Sequence, residues 1–358
     1  MRFQKAIAFC LLSMLFILLS RCNQTDRVSY VIGQSTNKLL SDYNFFKGTL
    51  SDLNPVENVI PYDLNAALFS DYAYKARFVW LPEHTHATVD DPDEVIMFPV
   101  GSILIKNFYY PDDFRNEEGG RRIMETRLLI HEEEGWIALP YIWNDEQTDA
   151  TLALAGGNRK ISWIHHDGSV RELNYSVPDK NQCKNCHQNK EKIIPIGPKI
   201  ANLNKDIRYS DGLANQLEKW KSINLLQYDN PTSVYGRFAN YDDKQASVEE
   251  RARSYLDINC GHCHNPDGSG HTSGLNLSVL EKEGASLGIC KSPISAGKGT
   301  GGLDFDIAPG KADSSILLYR MISNDPSIMM PEIGRKIEHE EGIALIREWI
   351  NELEGSCY

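Results

Sequence analysis

The sequence is short of positive charge. Lys and Arg number 37 against 49 Asp and Glu, so the formal net charge is −12. A phosphate backbone needs a basic surface, so nucleic acid is excluded as a partner. The charge fits solubility and, at most, a partner with a basic patch. Long apolar runs are also scarce. One spans residues 6–20, AIAFCLLSMLFILLS, and it is shorter than the ~20 residues a membrane-crossing helix needs. No internal repeat is present apart from one short doubled motif. Methionine is scarce, at seven residues, and neither Met nor His occurs between Gln188 and Asn259. The length, 358 residues, allows two or three compact domains.

The apolar run follows Arg2 and Lys5 and ends at Arg21, after which the chain turns polar. A charged start and an apolar middle predict an export signal over 1–22, and hence a periplasmic or cell-envelope location. The stretch LLSRC, residues 18–22, resembles a bacterial lipobox, although Arg21 stands where that pattern prefers a small residue. Cys22 is then either the lipidated new terminus or a free cysteine beside an ordinary cleavage site. A lipid there is the one membrane contact expected. Cleavage before Cys22 removes Arg2, Lys5 and Arg21 and takes the formal charge from −12 to about −15.

The remaining cysteines sort by position. Cys10 lies inside the signal. Cys183, Cys186, Cys260 and Cys263 fall in the stretches QCKNCHQNK (182–190) and INCGHCHNPDG (258–268). Cys290 and Cys357 are left, and in an oxidising compartment they are predicted to pair as a disulfide tying a late loop to the C-terminus.

Cys-x-x-Cys-His is the c-type haem attachment pattern. Two thiols must reach two vinyl groups on one porphyrin edge and form thioethers, while the next residue turns its imidazole to the iron. A thioredoxin-like dithiol needs neither the histidine nor a second copy. A four-thiolate zinc site is the other arrangement two such pairs allow, but thiolate ligands survive best in reducing compartments. The expectation is two covalently bound haem c groups, with His187 and His264 as proximal ligands. For the second haem, SIMMPEIGR (327–335) offers a thioether, which as an axial ligand raises the potential. Met330, stiffened by Pro331, is the first choice, with Met329 and then Met321 behind it.

Residues 23–55 read as a tether with an irregular lead-in. Over 56–178 strand-like runs recur: ARFVWL (76–81), VIMFPV (95–100), SILIKNFYY (102–110), RLLIHE (127–132) and WIALPYIW (136–143). A hairpin is predicted over 160–175 with Asp167-Gly168 at its turn. They predict an antiparallel sandwich or partly open barrel. The acidic run DDPDE (90–94) reads as a solvated loop, with carboxylates alone a weak calcium signal. Residues 179–240 form a first haem-attachment segment with a helix near 211–226. Residues 241–358 carry a helix over 247–259, with a Ser247–Glu250 capping box, and a closing amphipathic helix over 340–353. Loop is expected at 265–310.

Helix, attachment motif, Met loop and closing helix come in the order of a mono-haem cytochrome c domain. Residues 247–353 resemble cytochrome c domains of the class found in planctomycete-type multidomain proteins, through CGHCHNPDGSGHTSGLNL (260–277), APGKADSSILLYRM (308–321), MPEIGR (330–335) and EGIALIREWI (341–350). The wider chain resembles a family of exported bacterial dihaem c-type cytochromes of poorly defined role, through PYDLNAALFSDYAYKARFVWLP (61–82), FPVGSILIKNFYY (98–110), ETRLLI (125–130), WNDEQTDATL (143–152) and NQCKNCH (181–187). The fold class expected is therefore α+β: an N-terminal antiparallel β domain followed by small all-α cytochrome c-type haem domains. The resemblance implies haem binding and electron transfer with redox donor and acceptor proteins. It suggests a periplasmic sugar dehydrogenase as donor and the respiratory chain beyond.

The first haem has no local sixth ligand. IPIGPKI (194–200) is similar to the Gly-Pro stretch near the proximal histidine of cytochromes c, but supplies no sulfur or imidazole. Candidates elsewhere are His165, His166, His131, Met124 and Met97; a Lys or Tyr is another, and an open iron is the last. An open iron would suit a dihaem peroxidase-like enzyme. A third reading, a carbohydrate-binding module, rests on Trp80, Trp136, Trp143 and Trp163, whose rings either stack on sugars or fill the sheet's core.

Overall fold

A computed structural model describes residues 27–34, 36–294 and 296–357. The signal segment, Cys10 and the lipidation candidate Cys22 lie outside the described residues. Strands β1 (Ile60–Tyr62), β2 (Tyr74–Trp80), β4 (Ile103–Pro111), β5 (Arg121–Glu132), β6 (Gly135–Trp143) and β7 (Ala150–Leu152) form one antiparallel sheet, ordered β1-β2-β4-β5-β6-β7. The sheet is open, with β1 and β7 at its edges. The hairpin β8 (Gly157–Ile164) and β9 (Val170–Val177) pairs separately and turns through Asp167-Gly168 as the sequence predicts. The run 95–100 is not a strand; it makes only single bridges, Val95 to Lys199 and Met97 to Thr88 in the short β3 (Ala87–Thr88).

Alternation along the strands explains why both faces of this sheet are buried. Phe78, Ile103, Ile105, Leu128 and Ile130 point to one face. Val79 and Leu104 point to the other. The first face is covered by Leu40, Tyr43, Phe45, Phe46 and Leu53. The expected tether is therefore a packed layer from Leu40 onward, with Val28 and Tyr30 packed against it. Its polar composition conceals a few large apolar anchors. The second face is covered by Ile200, Leu203, Leu217, Trp220 and Leu226, so the segment 179–240, which carries the first Cys-x-x-Cys-His motif, shares the sheet's core. This segment contains α1 (Lys180–His187), the hairpin β10 (Gln188–Asn189) with β11 (Lys192–Ile193), α2 (Ile200–Leu203), a hairpin of β12 (Asp206–Tyr209) and β13 (Gly212–Asn215), α3 (Gln216–Ser222), and β14 (Leu226–Gln227), which pairs with β3. The helix expected at 211–226 is thus confined to α3, because Gly212–Asn215 pairs as a strand and the Asn215 side chain caps the N-terminus of α3.

The expectation of small all-α haem domains is not met. The first segment mixes helices with hairpins on the sheet. Beyond residue 241 the α-helices are α4 (Val248–Leu256), the one-turn α5 (Gly284–Leu287), α6 (Ile316–Ile322) and α7 (Glu340–Glu352). Most of the chain joining them is turns and short 3₁₀ segments, held by bridges such as Ile289–Ile307 and Phe305–Ser315. The Gly-, Ser- and Asn-rich composition of 265–310 cannot sustain longer helices. A core of Leu256, Leu318, Ile346, Trp349 and Ile350 lies between α4, α6 and α7. The capping box of α4 is formed, with Ser247 Oγ accepting from Glu250 N and the Glu250 carboxylate accepting from Ser247 N. Gly342 lets α7 close on α4, since a side chain there would overlap the Tyr255 ring.

Two connections dock this region on the sheet. The loop 64–72 sends Phe69 N to Asn259 Oδ1 at 2.8 Å. In return Asp71 Oδ1 accepts from Lys336 N and Ile337 N at 2.6 and 3.0 Å. Cys290 and Cys357 form a disulfide that closes a loop of separation 67.

Candidate functional site

The first motif lies on α1. Asp179 caps the helix, accepting from Asn181 N and Gln182 N at 2.8 Å each, and Gln182 completes a capping box. One turn of helix then sets Cys183, Cys186 and His187 in a short arc. The second motif comes after α4, whose last turn widens into a π turn over Asp257–Gly261. Such widened turns concentrate at functional sites. His264 then sits where Gly270 makes room, since a Cβ there would lie 3.1 Å from His264 Nδ1.

The proximal histidines are prepared alike. His187 Nδ1 is 2.7 Å from Ile194 O, and His264 Nδ1 is 2.9 Å from Ser273 Oγ. In each ring the nitrogen not so engaged is Nε2, and this is how a second shell fixes the tautomer of a metal-ligating histidine. Burial pushes the His187 imidazole down to about 3, and it lowers His264 too. Both rings are therefore held in the neutral form that ligates iron. The four motif cysteines are free thiols. Burial raises Cys183 and pushes Cys260 up to about 12.

The two motifs meet. Cys186 and His187 of the first motif share the lining of a cleft with His262 of the second. A backbone bridge between Asn189 and Gly268 and a Lys190–Asp267 ion pair at 3.3 Å lie alongside. Among the described residues no group of three or more His, Cys, Asp or Glu gathers as an ion-binding shell, so the four-thiolate zinc arrangement is not assembled.

Two clefts open from this junction. The first, with about 1030 Å³ of empty space including its mouth, runs from Cys183, Cys186 and His187 across Leu104, Lys106, Arg127 and Leu129 of the sheet. Its mostly apolar walls suit a large planar ligand. The second, about 310 Å³, lies between Cys260, Tyr255 and Phe69 on one side and Met321 and Met330 on the other. Met330 is thus brought to a cleft with a cysteine of the second motif, whereas Met329 is buried at 7% exposure and lines neither cleft. Phe69, Pro331 and Arg335 line both clefts, so one layer of side chains separates them. The thiols, neutral imidazole and apolar walls of the first cleft fit one covalently held haem, whereas the second brings Cys260 to Met330 but is lined by neither Cys263 nor His264.

Several expected ligands for the first haem are placed elsewhere. His165 is buried against Tyr72, and its Nδ1 accepts from Trp163 Nε1 at 3.3 Å. His166 is exposed beside Phe114. His131 stacks on Trp136 with centroids 4.6 Å apart. Met124 is packed among aromatic rings, and Met97 is 53% exposed on its loop. Trp143 and Trp163 are core residues, and Trp80 packs edge-on to Tyr30.

Three residues of the site carry no signal in the sequence. Arg335 is buried, and its guanidinium donates to the carbonyls of Met330, Arg320, Met321, Ser323 and Ile337 and to Asn324 Oδ1, at 2.9–3.4 Å. It holds the Met loop in shape. His339 lines the Met330 cleft, stacked 4.3 Å from Phe69, with Nδ1 3.1 Å from Tyr255 Oη. His262 stands inside the second motif as a spacer position, where the pattern attaches no meaning to it, and it lines the first cleft. The strand register adds a row of cations, with Arg77 opposite Lys106 and Lys106 opposite Arg127.

Comparison with protein-family models, with curated proteins and with solved structures finds no match. No helix among the described residues is long and apolar enough to cross a membrane.

Proposed function

We propose that this chain is an exported dihaem c-type cytochrome that relays electrons between a donor protein and an acceptor. The observation that carries this reading is the meeting of two Cys-x-x-Cys-His motifs, from opposite ends of residues 188–259, where Asn189 bridges Gly268 and Cys186, His187 and His262 line one cleft. A single attachment site needs no such convergence. A relay does, because electron transfer rates fall steeply with edge-to-edge distance. The haems supply reversible one-electron chemistry. Cys183 and Cys186, and Cys260 and Cys263, would hold one group each, with His187 and His264 offering imidazoles and Met330 a thioether to the irons. Ile194 O and Ser273 Oγ keep the two imidazoles oriented. The exported acidic surface suits partners with basic patches, and membrane contact is through a lipid at Cys22. The likeness to exported dihaem cytochromes supports the same reading, and it rests on the motifs quoted above.

The test is whole-protein mass spectrometry and redox titration of protein made with a working haem-attachment pathway. The expected result is a mass increase of two macrocycles and two reversible one-electron steps. A chain carrying no macrocycle overturns the reading, and a single step overturns the dihaem assignment.

A further inference from the structure

We propose that His262, within the second attachment motif, is the distal axial ligand of the iron held by Cys183, Cys186 and His187. This rests on the dihaem reading above. His262 lines the first cleft together with Cys183, Cys186 and His187, and it lines a second opening beside His187 toward Gly197 and Asn265. Among the residues lining these two openings, His187 and His262 are the imidazoles, and there is no methionine. His262 Nδ1 is buried and has no hydrogen-bond partner. A buried nitrogen left unsatisfied costs ~1–3 kcal/mol, and such groups in a native fold call for a ligand or a function.

The attachment chemistry leaves His262 free for this task, because the spacer residues of Cys-x-x-Cys-His form no bond to their own haem. The backbone bridge between Asn189 and Gly268 and the Lys190–Asp267 ion pair hold that spacer against the first motif. The π turn over Asp257–Gly261 ends directly before it. One short turn of chain thereby anchors one haem and caps the other.

The assignment gives the relay a direction. A bis-histidine iron has a lower potential than a His/Met iron. The group at Cys183/Cys186 is then the electron entry side and the group at Cys260/Cys263 the exit side. With both irons six-coordinate, neither is open to peroxide.

The rival donor in the cleft is the Lys106 amine, which sits 4.9 Å over the Phe108 ring. The experiment uses the full-length, haem-loaded protein and its His262→Ala and Lys106→Met variants. Mass spectrometry counts haems, and near-infrared magnetic circular dichroism reads axial ligands. Wild type is expected to show one bis-imidazole and one imidazole–thioether centre. His262→Ala keeps two haems, loses the bis-imidazole band and recovers it with added imidazole. Lys106→Met leaves the spectrum unchanged. A wild-type spectrum with no bis-imidazole centre overturns the proposal even if a variant folds poorly. So does a bis-imidazole band that survives in His262→Ala, or a distal signature that Lys106→Met removes. Each of these leaves the dihaem reading standing, whereas a haem-free wild type brings down both.

Discussion

Replacing Arg335 tests how the Met loop is held. Its guanidinium is 5% exposed and makes six hydrogen bonds, five of them to main-chain carbonyls on both sides of the loop. No carboxylate pairs with it among the described ion pairs, and burial lowers its affinity for the proton despite the nearby Asp71 charge. Carbonyl dipoles therefore stabilise this cation. In Arg335→Ala, water entering the vacated space can satisfy some of the five carbonyls. If two stay unpaired at ~1–3 kcal/mol each, the loss is about 2–6 kcal/mol, a large share of a native stability of ~5–15 kcal/mol. Arg335→Lys keeps the charge but puts three donors at one point in place of a planar fork of five, and should recover less than half of that. Urea unfolding followed by tryptophan fluorescence gives the stability, with Trp349 buried in the neighbouring core as reporter. The red absorption band of oxidised iron–thioether ligation reports on Met330, and should vanish in Arg335→Ala while two haems remain attached. A loss under about 0.5 kcal/mol with the band intact would refute the claim that Arg335 positions the loop.

Removing the Cys290–Cys357 disulfide by a double Ser substitution frees a loop of separation 67, and the chain-entropy relation sets the loss at about 4.4 kcal/mol as an upper figure; denaturant unfolding that moves by less than about 1 kcal/mol would show the bond to be stabilising by another route or not at all. His339 is held at about 3 by burial, although Glu341 lies 3.5 Å from its Nε2. The unfolded chain, with an imidazole near ~6.5, binds the proton first. His339 therefore contributes stability that is complete above pH ~6.5 and declines as pH falls toward about 3. His339→Phe, which keeps the ring against Phe69, should flatten melting temperature against pH in that window, and an unchanged slope would contradict the burial argument.

Much of this protein is legible from the chain alone because it is encoded locally. The attachment motifs are contiguous, the α4 capping box spans four residues, and the β8–β9 hairpin turns on an Asp-Gly pair. The strand runs of β4 and β6 and the closing helix α7 show their periods directly. The disulfide partners emerge because every other cysteine belongs to the signal or to a motif. The lead-in at 28–55 is more ordered than its composition suggests, since a handful of buried rings outweighs a polar average. The segments that carry the two motifs are less regular than their motif order suggests, since that order says nothing about how much glycine-rich chain lies between helices. Sequence distance points away from the second motif as a source of the first haem's distal ligand, and toward the β domain. Only tertiary packing brings His262 to Cys186 and His187, and sets Arg335 between two clefts. Short-range patterns arise from bond geometry and hydrogen bonds within a few residues. The meeting of the two motifs depends on which surfaces bury each other, and that is a property of the packed whole.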